Sequence, residues 1–171
     1  MDGTSTSTRA AAELGPPVFK SLDHVSFPCR DLEEGRKFYM GVLGGEIIVE
    51  EPAFILFDIN GAHIGIGSVG ATFMEPGNEY PHIGFDCDAE TLVHTKEWLA
   101  ACGIPSTPYW TRAGVEALMF FRDPSGNVIE LYCQEGYEDA PNLPRGPAQG
   151  HGNAIDIDAI RYDTWHLPGE G

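Results

Sequence analysis

The sequence predicts an α+β fold in which two βαβββ modules form a curved mixed sheet around a cavity, with the helices on the outer face. Two internal matches indicate this duplication. Residues 23–44 align without a gap on residues 81–102, and residues 58–66 align on residues 123–131. In both copies a strand pattern comes first, a helical pattern follows, and short strands complete the unit. Helices that cover one face of a twisted sheet leave its other face to line a cavity.

The first module, residues 21–67, begins with a strand and a helix. Residues 22–29 alternate apolar and polar side chains, which is typical of a half-buried strand. Asp31 begins the helix, Glu34 completes a capping box three residues later, and Gly44 ends the helix. Three further strands are predicted at about residues 46–51, 53–59 and 62–67.

The second module, residues 80–134, repeats this order. A strand is predicted at about residues 80–87, and Asp88 caps a helix that runs through Cys102 to a stop at Gly103. Further strands are predicted near residues 105–111, 115–122 and 127–134. We therefore expect three regions: a flexible leader at 1–20, a single domain at 21–134, and an extension at 135–171 that packs on the domain, with a short strand or turn at 153–162.

Composition limits the classes of function. The 171 residues include 10 Lys and Arg against 26 Asp and Glu, a formal net charge of −16, which argues against nucleic acid or an anionic membrane as a partner. The chain has no long apolar run, and its first residues lack the apolar core of a secretory signal. The four cysteines form no C-x-x-C pair. Three of them, Cys29, Cys87 and Cys133, lie near strand ends, and we expect these to be buried thiols in a reducing compartment. We therefore expect a cytoplasmic protein.

Strand parity directs three potential metal ligands to the same uncovered face. His24 and His82 occupy equivalent positions in the two repeats, each opposite the apolar residues that face the helices. Glu130 lies in the final strand, at the repeat position that Gly65 occupies in the first module. A carboxylate on a buried strand needs a partner, which a divalent cation supplies. Ordinary hydrogen-bonded histidines are the alternative, but two equivalent imidazoles and an acid favour a metal-binding cavity with open coordination positions, suited to Fe(II) and able to accommodate Mn(II).

These stretches resemble the vicinal oxygen chelate superfamily, which includes glyoxalases, fosfomycin-resistance enzymes, methylmalonyl-CoA epimerases and extradiol dioxygenases. The resemblance spans residues 21–134 and rests on LDHVSFPCRDLEEGRKFY, the strand that contains His82, and FFRDPSGNVIELY, which most resembles the extradiol branch. It implies that the paired βαβββ fold holds its metal on His24, His82 and Glu130. It also implies that His63 is catalytic, assisting oxygen binding and proton transfer; a surface histidine is the alternative.

Three further positions bear on the choice of branch. Glyoxalases and the epimerase usually carry a fourth ligand at the position of Gly65, whereas extradiol dioxygenases and fosfomycin-resistance enzymes use three. The latter bind a phosphonate with several basic residues, and this chain has only 10, so the resemblance favours the dioxygenase branch. Extradiol enzymes usually carry a catalytic His and Tyr where this chain has Thr111 and Phe120. We expect these two residues, with Trp110 and Tyr132, to contact the substrate.

The first functional hypothesis is a non-haem Fe(II)-dependent dioxygenase of the extradiol ring-cleavage type, which acts with O₂ on a small aromatic or vicinally oxygenated substrate. The alternative is a glyoxalase-type lyase, isomerase or transferase in which Mn(II), Zn(II) or Ni(II) acts as a Lewis acid. A third is a protein that binds a small ligand without metal. Because single-domain members of the superfamily often dimerise, we expect a homodimer, with the site either within one chain or across two.

Overall fold

The computed structural model describes residues 21–73, 81–146 and 155–169. The predicted leader at residues 1–20 lies outside these ranges. Within them the chain forms two curved mixed β-sheets, two α-helices and a short 3₁₀ helix. The predicted α+β class is therefore confirmed, with the strands divided between two sheets, one in each module.

The first module follows the predicted order of elements. The strands lie in the order β1-β4-β3-β2, with β1 parallel to β4 and the other neighbours antiparallel. This order places β1, which begins one residue after His24, at an edge of the sheet. The elements are β1 (Val25–Pro28), α1 (Leu32–Gly41), β2 (Glu46–Glu51), β3 (Phe54–Ile59) and β4 (Ala62–Gly67).

The second module has one strand fewer than predicted. The strand predicted at residues 105–111 was wrong, since the segment forms only isolated bridges, such as that between Trp110 and Leu118. Pro105 and Pro108 interrupt it, because proline has no N–H to donate to a strand ladder. The sheet order is β5-β7-β6. The elements are β5 (His82–Asp86), α2 (Ala89–Ala101), β6 (Ala117–Arg122) and β7 (Val128–Cys133).

The parallel strand pairs reproduce the repeat read from the sequence. Each pair in the first sheet corresponds to an aligned pair in the second, so the duplication extends to the strand register. The equivalent pairs are Val25–Ile64 and Ser26–Gly65 in the first sheet, and Ile83–Ile129 and Gly84–Glu130 in the second.

Both helices begin at the predicted capping residues. Asp31 accepts the backbone N–H of Glu34 at 3.1 Å, and Asp88 accepts that of Thr91 at 2.7 Å. The predicted capping box is only half formed, because the Glu34 carboxylate accepts the indole N–H of Trp165 at 2.9 Å. Neither described helix is long and apolar enough to cross a bilayer.

A shared core and several polar contacts join the two modules. Buried residues of both sheets and both helices belong to one apolar cluster. The hydroxyl of Tyr39 donates to the Asp123 carboxylate at 3.1 Å, and the side-chain amide of Asn127 donates to the carbonyl oxygen of Pro28 at 2.9 Å. The turn before β7 therefore fastens the second module to the start of the first.

Residues 155–167 contact both modules without forming a strand. In the described part of the range predicted as a short strand or turn, 153–162, the chain forms a turn at residues 159–160. The hydroxyl of Tyr162 donates to the backbone oxygen of Arg122, in β6, at 2.8 Å. The Trp165 ring packs edge-on against Phe38, in α1, with 5.9 Å between ring centroids. This segment therefore links the second sheet to the first helix.

Candidate functional site

Two of the three predicted metal ligands face each other across neighbouring strands. His82 begins the edge strand β5 and Glu130 lies in β7, with His82 Nε2 and Glu130 Oε2 3.5 Å apart. The two side chains are 15% and 5% exposed, so the pair is largely shielded from bulk water. Gly84 is the strand partner of Glu130, and a Cβ atom added there would lie 3.2 Å from Oε2. The glycine therefore provides the room that the carboxylate occupies.

Arg112 holds the other oxygen of the same carboxylate. Its Nη2 donates to Glu130 Oε1 at 3.1 Å. The guanidinium also lies 5.2 and 5.6 Å from the ring centroids of Trp110 and Tyr132. This ion pair offsets the cost of burying the carboxylate. Because the Arg112 side chain is 34% exposed, it also brings positive charge to the mouth of the site.

The first module presents the other two predicted histidines at one end of its sheet. His24 is exposed, and its Nδ1 lies 2.7 Å from Asp23 Oδ2. This hydrogen bond is the main reason that the pKa of Asp23 is lowered, and the charge of His63 contributes in the same direction. His63 lies in β4 with its Nε2 3.6 Å from Oδ2 of Asp58, its strand partner in β3. Each histidine therefore lies beside a carboxylate.

The predicted ligands do not all converge within one chain. In the part of the chain that the structure describes, no three His, Cys, Asp or Glu side chains lie close enough together to hold a metal ion. His82 and Glu130 form a facing nitrogen and oxygen pair of the kind that Mn(II), Zn(II) or Fe(II) accepts. The described residues of one chain thus fit part of a metal site, and a cation bound there would need a further donor from elsewhere.

The first module has no room for a ligand at the position equivalent to Glu130. A Cβ atom on Gly65 would lie 2.5 Å from the Ser26 hydroxyl oxygen and 2.7 Å from the Phe54 ring. Both distances are far below ordinary contact. The lack of a fourth ligand, expected from the glycine alone, is therefore reinforced by the packing of its neighbours.

Thr111 and Tyr132, two of the predicted substrate residues, have different surroundings. Tyr132 is half-buried beside Arg112 and therefore lines the mouth of the site. Thr111 is fully buried, and its hydroxyl accepts the backbone N–H of Gly114 at 2.8 Å. This threonine stabilises the loop that carries Arg112 and is shielded from solvent.

Phe120 and Trp110, the other two predicted substrate residues, connect the His82–Glu130 pair to an apolar surface. The Phe120 ring packs edge-on against His82 at 5.4 Å, and Trp110 lies 5.3 Å beyond it. Both are 1% exposed. They are covered by three residues of the C-terminal segment, Ile155, Ile157 and Ile160.

Sequence reasoning missed Arg112 and the covering isoleucines. Arg112 lies in an irregular loop after Trp110, and no spacing motif relates it to Glu130, 18 residues later. The isoleucines carried a weak signal, because Ile155 and Ile157 alternate with aspartates in the pattern of a half-buried extended segment. Nothing in that pattern identified the surface on which they pack.

The chain matches known proteins over most of its length. A family model described as the Glyoxalase/Bleomycin resistance protein/Dioxygenase superfamily matches residues 21–131. A curated relative, Glyoxylase I 4 from Arabidopsis thaliana, is 33% identical over 138 residues, which cover 70% of this chain and 74% of the relative.

Solved structures share the fold. The fosfomycin resistance protein FosX from Listeria monocytogenes has a TM-score of 0.61 at 24% identity, covering 71% of this chain and 96% of that one. Another structure of that protein, with the same TM-score and identity over 73% of this chain and 98% of that one, is a complex with Mn(II) and a sulfate ion. Lactoylglutathione lyase from Agrobacterium tumefaciens has a TM-score of 0.56 at 21% identity, over 68% of this chain and 94% of that one.

These similarities do not single out the extradiol dioxygenase branch that the sequence favoured. The curated relative carries a glyoxalase name, and the structural likenesses, at these identities, show the fold alone. The family match, the duplicated strand register and the His82–Glu130 pair agree with one another. The chain belongs to the glyoxalase/bleomycin resistance protein/dioxygenase superfamily.

Proposed function

We propose that this protein is a divalent-metal-dependent enzyme of the glyoxalase type, a lyase, isomerase or transferase that acts on a small oxygenated molecule without oxygen chemistry. The observation that carries the proposal is the buried Glu130 carboxylate, which faces the His82 ring at 3.5 Å. Similarity to a glyoxalase-named relative supports the reaction class. Mn(II), Zn(II) and Ni(II) are the metals that we propose for this chemistry. A bound metal would act as a Lewis acid and polarise the oxygens of the substrate.

The third ligand in this proposal is His24 from a second copy of the chain. His24 and His82 lie at the start of β1 and β5, and each strand is at the edge of its sheet. Exposed edges are surfaces on which another chain can pack. In a two-fold dimer one contact between modules is repeated by symmetry, so His24 of each copy would meet His82 and Glu130 of the other. This arrangement explains why His24 is exposed although its repeat equivalent, His82, is half-buried.

The remaining residues have roles that follow from their positions. Arg112 is the partly exposed cation beside Glu130, placed to bind an anionic group of the substrate. Phe120 packs against the His82 ring and so restricts its orientation. His63 lies at the same end of the first module as His24, beside Asp58, and in the assembled dimer it would exchange a proton with the substrate.

An Fe(II)-dependent, O₂-using dioxygenase is less well supported by these residues. The superfamily match includes dioxygenases in its name, but no feature of the site favours oxygen chemistry. Thr111 is buried in a loop and Phe120 has no proton to donate. Neither Thr111 nor Phe120 can therefore take the role of the catalytic His or Tyr of an extradiol enzyme.

The test is turnover by metal-loaded protein with and without oxygen. The purified protein is stripped of metal, reloaded with Mn(II), Ni(II), Zn(II) or Fe(II), and assayed under nitrogen for lactoylglutathione formation and fosfomycin opening. Under air it is assayed for oxygen uptake on a panel of catechols. We expect metal-dependent turnover under nitrogen that is lost in Glu130→Gln. Oxygen uptake with a catechol, and no turnover under nitrogen, would establish the dioxygenase instead.

A further inference from the structure

The inner face of the second sheet is covered by the chain's own C-terminal segment. Ile155, Ile157 and Ile160 are 5%, 8% and 3% exposed. They form one apolar cluster with residues of the loop before β6 and of the two strands beneath. The covered residues are Trp110, Leu118, Phe120 and Val128.

Several contacts anchor this segment. Arg122, itself 1% exposed, donates from Nε and Nη2 to the carbonyl oxygen of Ile157 at 3.2 and 3.0 Å. Five residues further along, the Tyr162 hydroxyl returns a hydrogen bond to the Arg122 backbone oxygen at 2.8 Å. Trp165 then donates to Glu34 on the first helix. The segment is therefore anchored at Ile157, between the first and last isoleucine, and again after Ile160 through the side chains of Tyr162 and Trp165; we call these three isoleucines the wall.

The covered surface continues directly into the candidate metal site. A row of rings runs from His82 through Phe120 to Trp110, with centroids 5.4 and 5.3 Å apart. At the far end, the buried indole N–H of Trp110 has no acceptor among the described residues. A buried donor without an acceptor is costly, so this position favours any ligand oxygen that can reach it.

We propose that Ile155, Ile157 and Ile160 determine substrate size by filling the apolar half of the ligand cavity. The groups left accessible to a ligand are at the polar end, where the Arg112 side chain is 34% exposed and Tyr132 is half-buried. The substrate class is therefore a small anionic molecule with no large apolar arm, bound through Arg112. This assignment rests on the proposed function for the identity of the polar end. The wall itself lies outside residues 21–131, the part of the chain that the family model matches.

The test measures ligand binding in the presence of EDTA, so that it does not depend on metal or turnover. Propionate, benzoate and 2-naphthoate form a series with one carboxylate and an apolar arm of increasing size. Binding is measured by calorimetry for the full-length protein and for an Ile157→Ala/Ile160→Ala variant. We expect the variant to bind 2-naphthoate about tenfold to a hundredfold more tightly than the unmodified chain, because a ring enters the vacated space, with propionate binding unchanged.

A matched variant separates this effect from general loosening. Ile104 is also buried, at 1% exposure, but belongs to the core between the sheets and the helices. Ile104→Ala removes as much side-chain volume as the single Ile160→Ala variant and about half as much as the double variant, and it should leave 2-naphthoate binding unchanged. If the double variant fails to fold, the single Ile160→Ala variant is judged by the same comparison.

Two results would overturn the proposal. One is a folded wall variant, with native near-ultraviolet circular dichroism, that binds 2-naphthoate no better than Ile104→Ala does. The other is an unmodified chain that already binds 2-naphthoate more tightly than propionate. The wall variant could bind 2-naphthoate more tightly while the protein binds no metal under any condition. That result would support the role of the isoleucines in substrate size and refute the proposed function.

Discussion

The Nε2 of His82 and the Oε2 of Glu130 lie 3.5 Å apart on parallel strands, with Gly84 directly opposite Glu130. Because Gly84 has no side chain, the Glu130 carboxylate can lie beside the His82 ring. In the first module, the strand partners equivalent to Gly84 and Glu130 are Ser26 and Gly65. Gly65 has no carboxylate, and the Ser26 side chain occupies the space that one would need. The two modules are therefore asymmetric, and the carboxylate that we propose as a metal ligand belongs to the second module.

Gly84→Ala should weaken metal binding without unfolding the protein. The added Cβ lies 3.2 Å from Glu130 Oε2 and forces the carboxylate to move by a few tenths of an ångström. Disturbing the orientation of a ligand typically costs about 10-fold or more in metal affinity. Calorimetric titration with Mn(II) provides the measurement. Unchanged affinity would show that this carboxylate oxygen does not bind the metal.

Gly65→Ala, the matched substitution in the first module, should act on stability. Its Cβ would lie 2.5 Å from the Ser26 oxygen and 2.7 Å from the Phe54 ring. Overpacking of this kind costs about 1–3 kcal/mol in the free energy of unfolding, to be measured by urea denaturation. We expect Phe54→Leu in the same chain to recover part of that loss. A Gly65→Ala protein as stable as the unmodified chain would contradict the described packing.

The sequence alone predicted the two modules and the helix starts, but not which strands pair. Repeats such as His24-Val25 and His82-Ile83 place equivalent residues at equivalent points of each sheet, and local patterns carry that information. The strand predicted at 105–111 was wrong, although Pro105 and Pro108 were visible in the sequence as interruptions. Because proline has no N–H to donate to a strand ladder, this segment forms only isolated bridges.

The rest of the site depends on contacts between distant parts of the chain. Arg112 meets Glu130 because a loop folds back over the sheet, and Ile157 meets Phe120 across 37 positions of sequence. Parity gives the face of a strand on which a side chain lies, but not what covers that face. The same limit applies to His24, whose face was predicted but whose separation from the other ligands within one chain was not.

Arg112→Met should strengthen metal binding and weaken the binding of small carboxylates. The guanidinium now donates to Glu130 Oε1 at 3.1 Å and competes with a cation for that oxygen. Because the pair is partly exposed and screened, we expect a gain in Mn(II) affinity of only about threefold to tenfold. Propionate binding should fall.

Arg36→Met is the control for the loss of one positive charge. Arg36 pairs with Glu50 in the first module, away from Arg112, and its replacement should leave both affinities unchanged. Equal effects of the two substitutions would mean that net charge, and not the Arg112–Glu130 contact, governs binding.

Asp123 should make the folded state less stable as the pH rises from 4 to 6. Burial raises its pKa from 3.8 to about 6, although hydrogen bonds from Asn127, Tyr39 and Ser125 partly oppose the shift. Between these values the folded state binds a proton that the unfolded state has released. The associated stability is therefore complete below the unfolded pKa of 3.8 and is lost as the pH rises through about 6.

Comparison with Asp123→Asn isolates this contribution, because asparagine does not titrate. Urea denaturation of both proteins from pH 4.5 to 7 should show the stability difference in favour of the unmodified chain shrinking by about 2 kcal/mol. A difference that is constant with pH would mean that the buried carboxyl keeps an ordinary pKa.

The central claim is that His24 of one copy joins His82 and Glu130 of another around a divalent cation. The direct measurement is Mn(II) binding by His24→Ala, by Glu130→Ala, and by the two variants refolded together in equal amounts. Each variant alone should lose tight binding. The mixture should recover about a quarter of the wild-type sites, because half of the dimers are mixed and each of those has one intact site. A mixture that recovers no sites, or a His24→Ala protein that binds Mn(II) as well as the unmodified chain, would contradict the account.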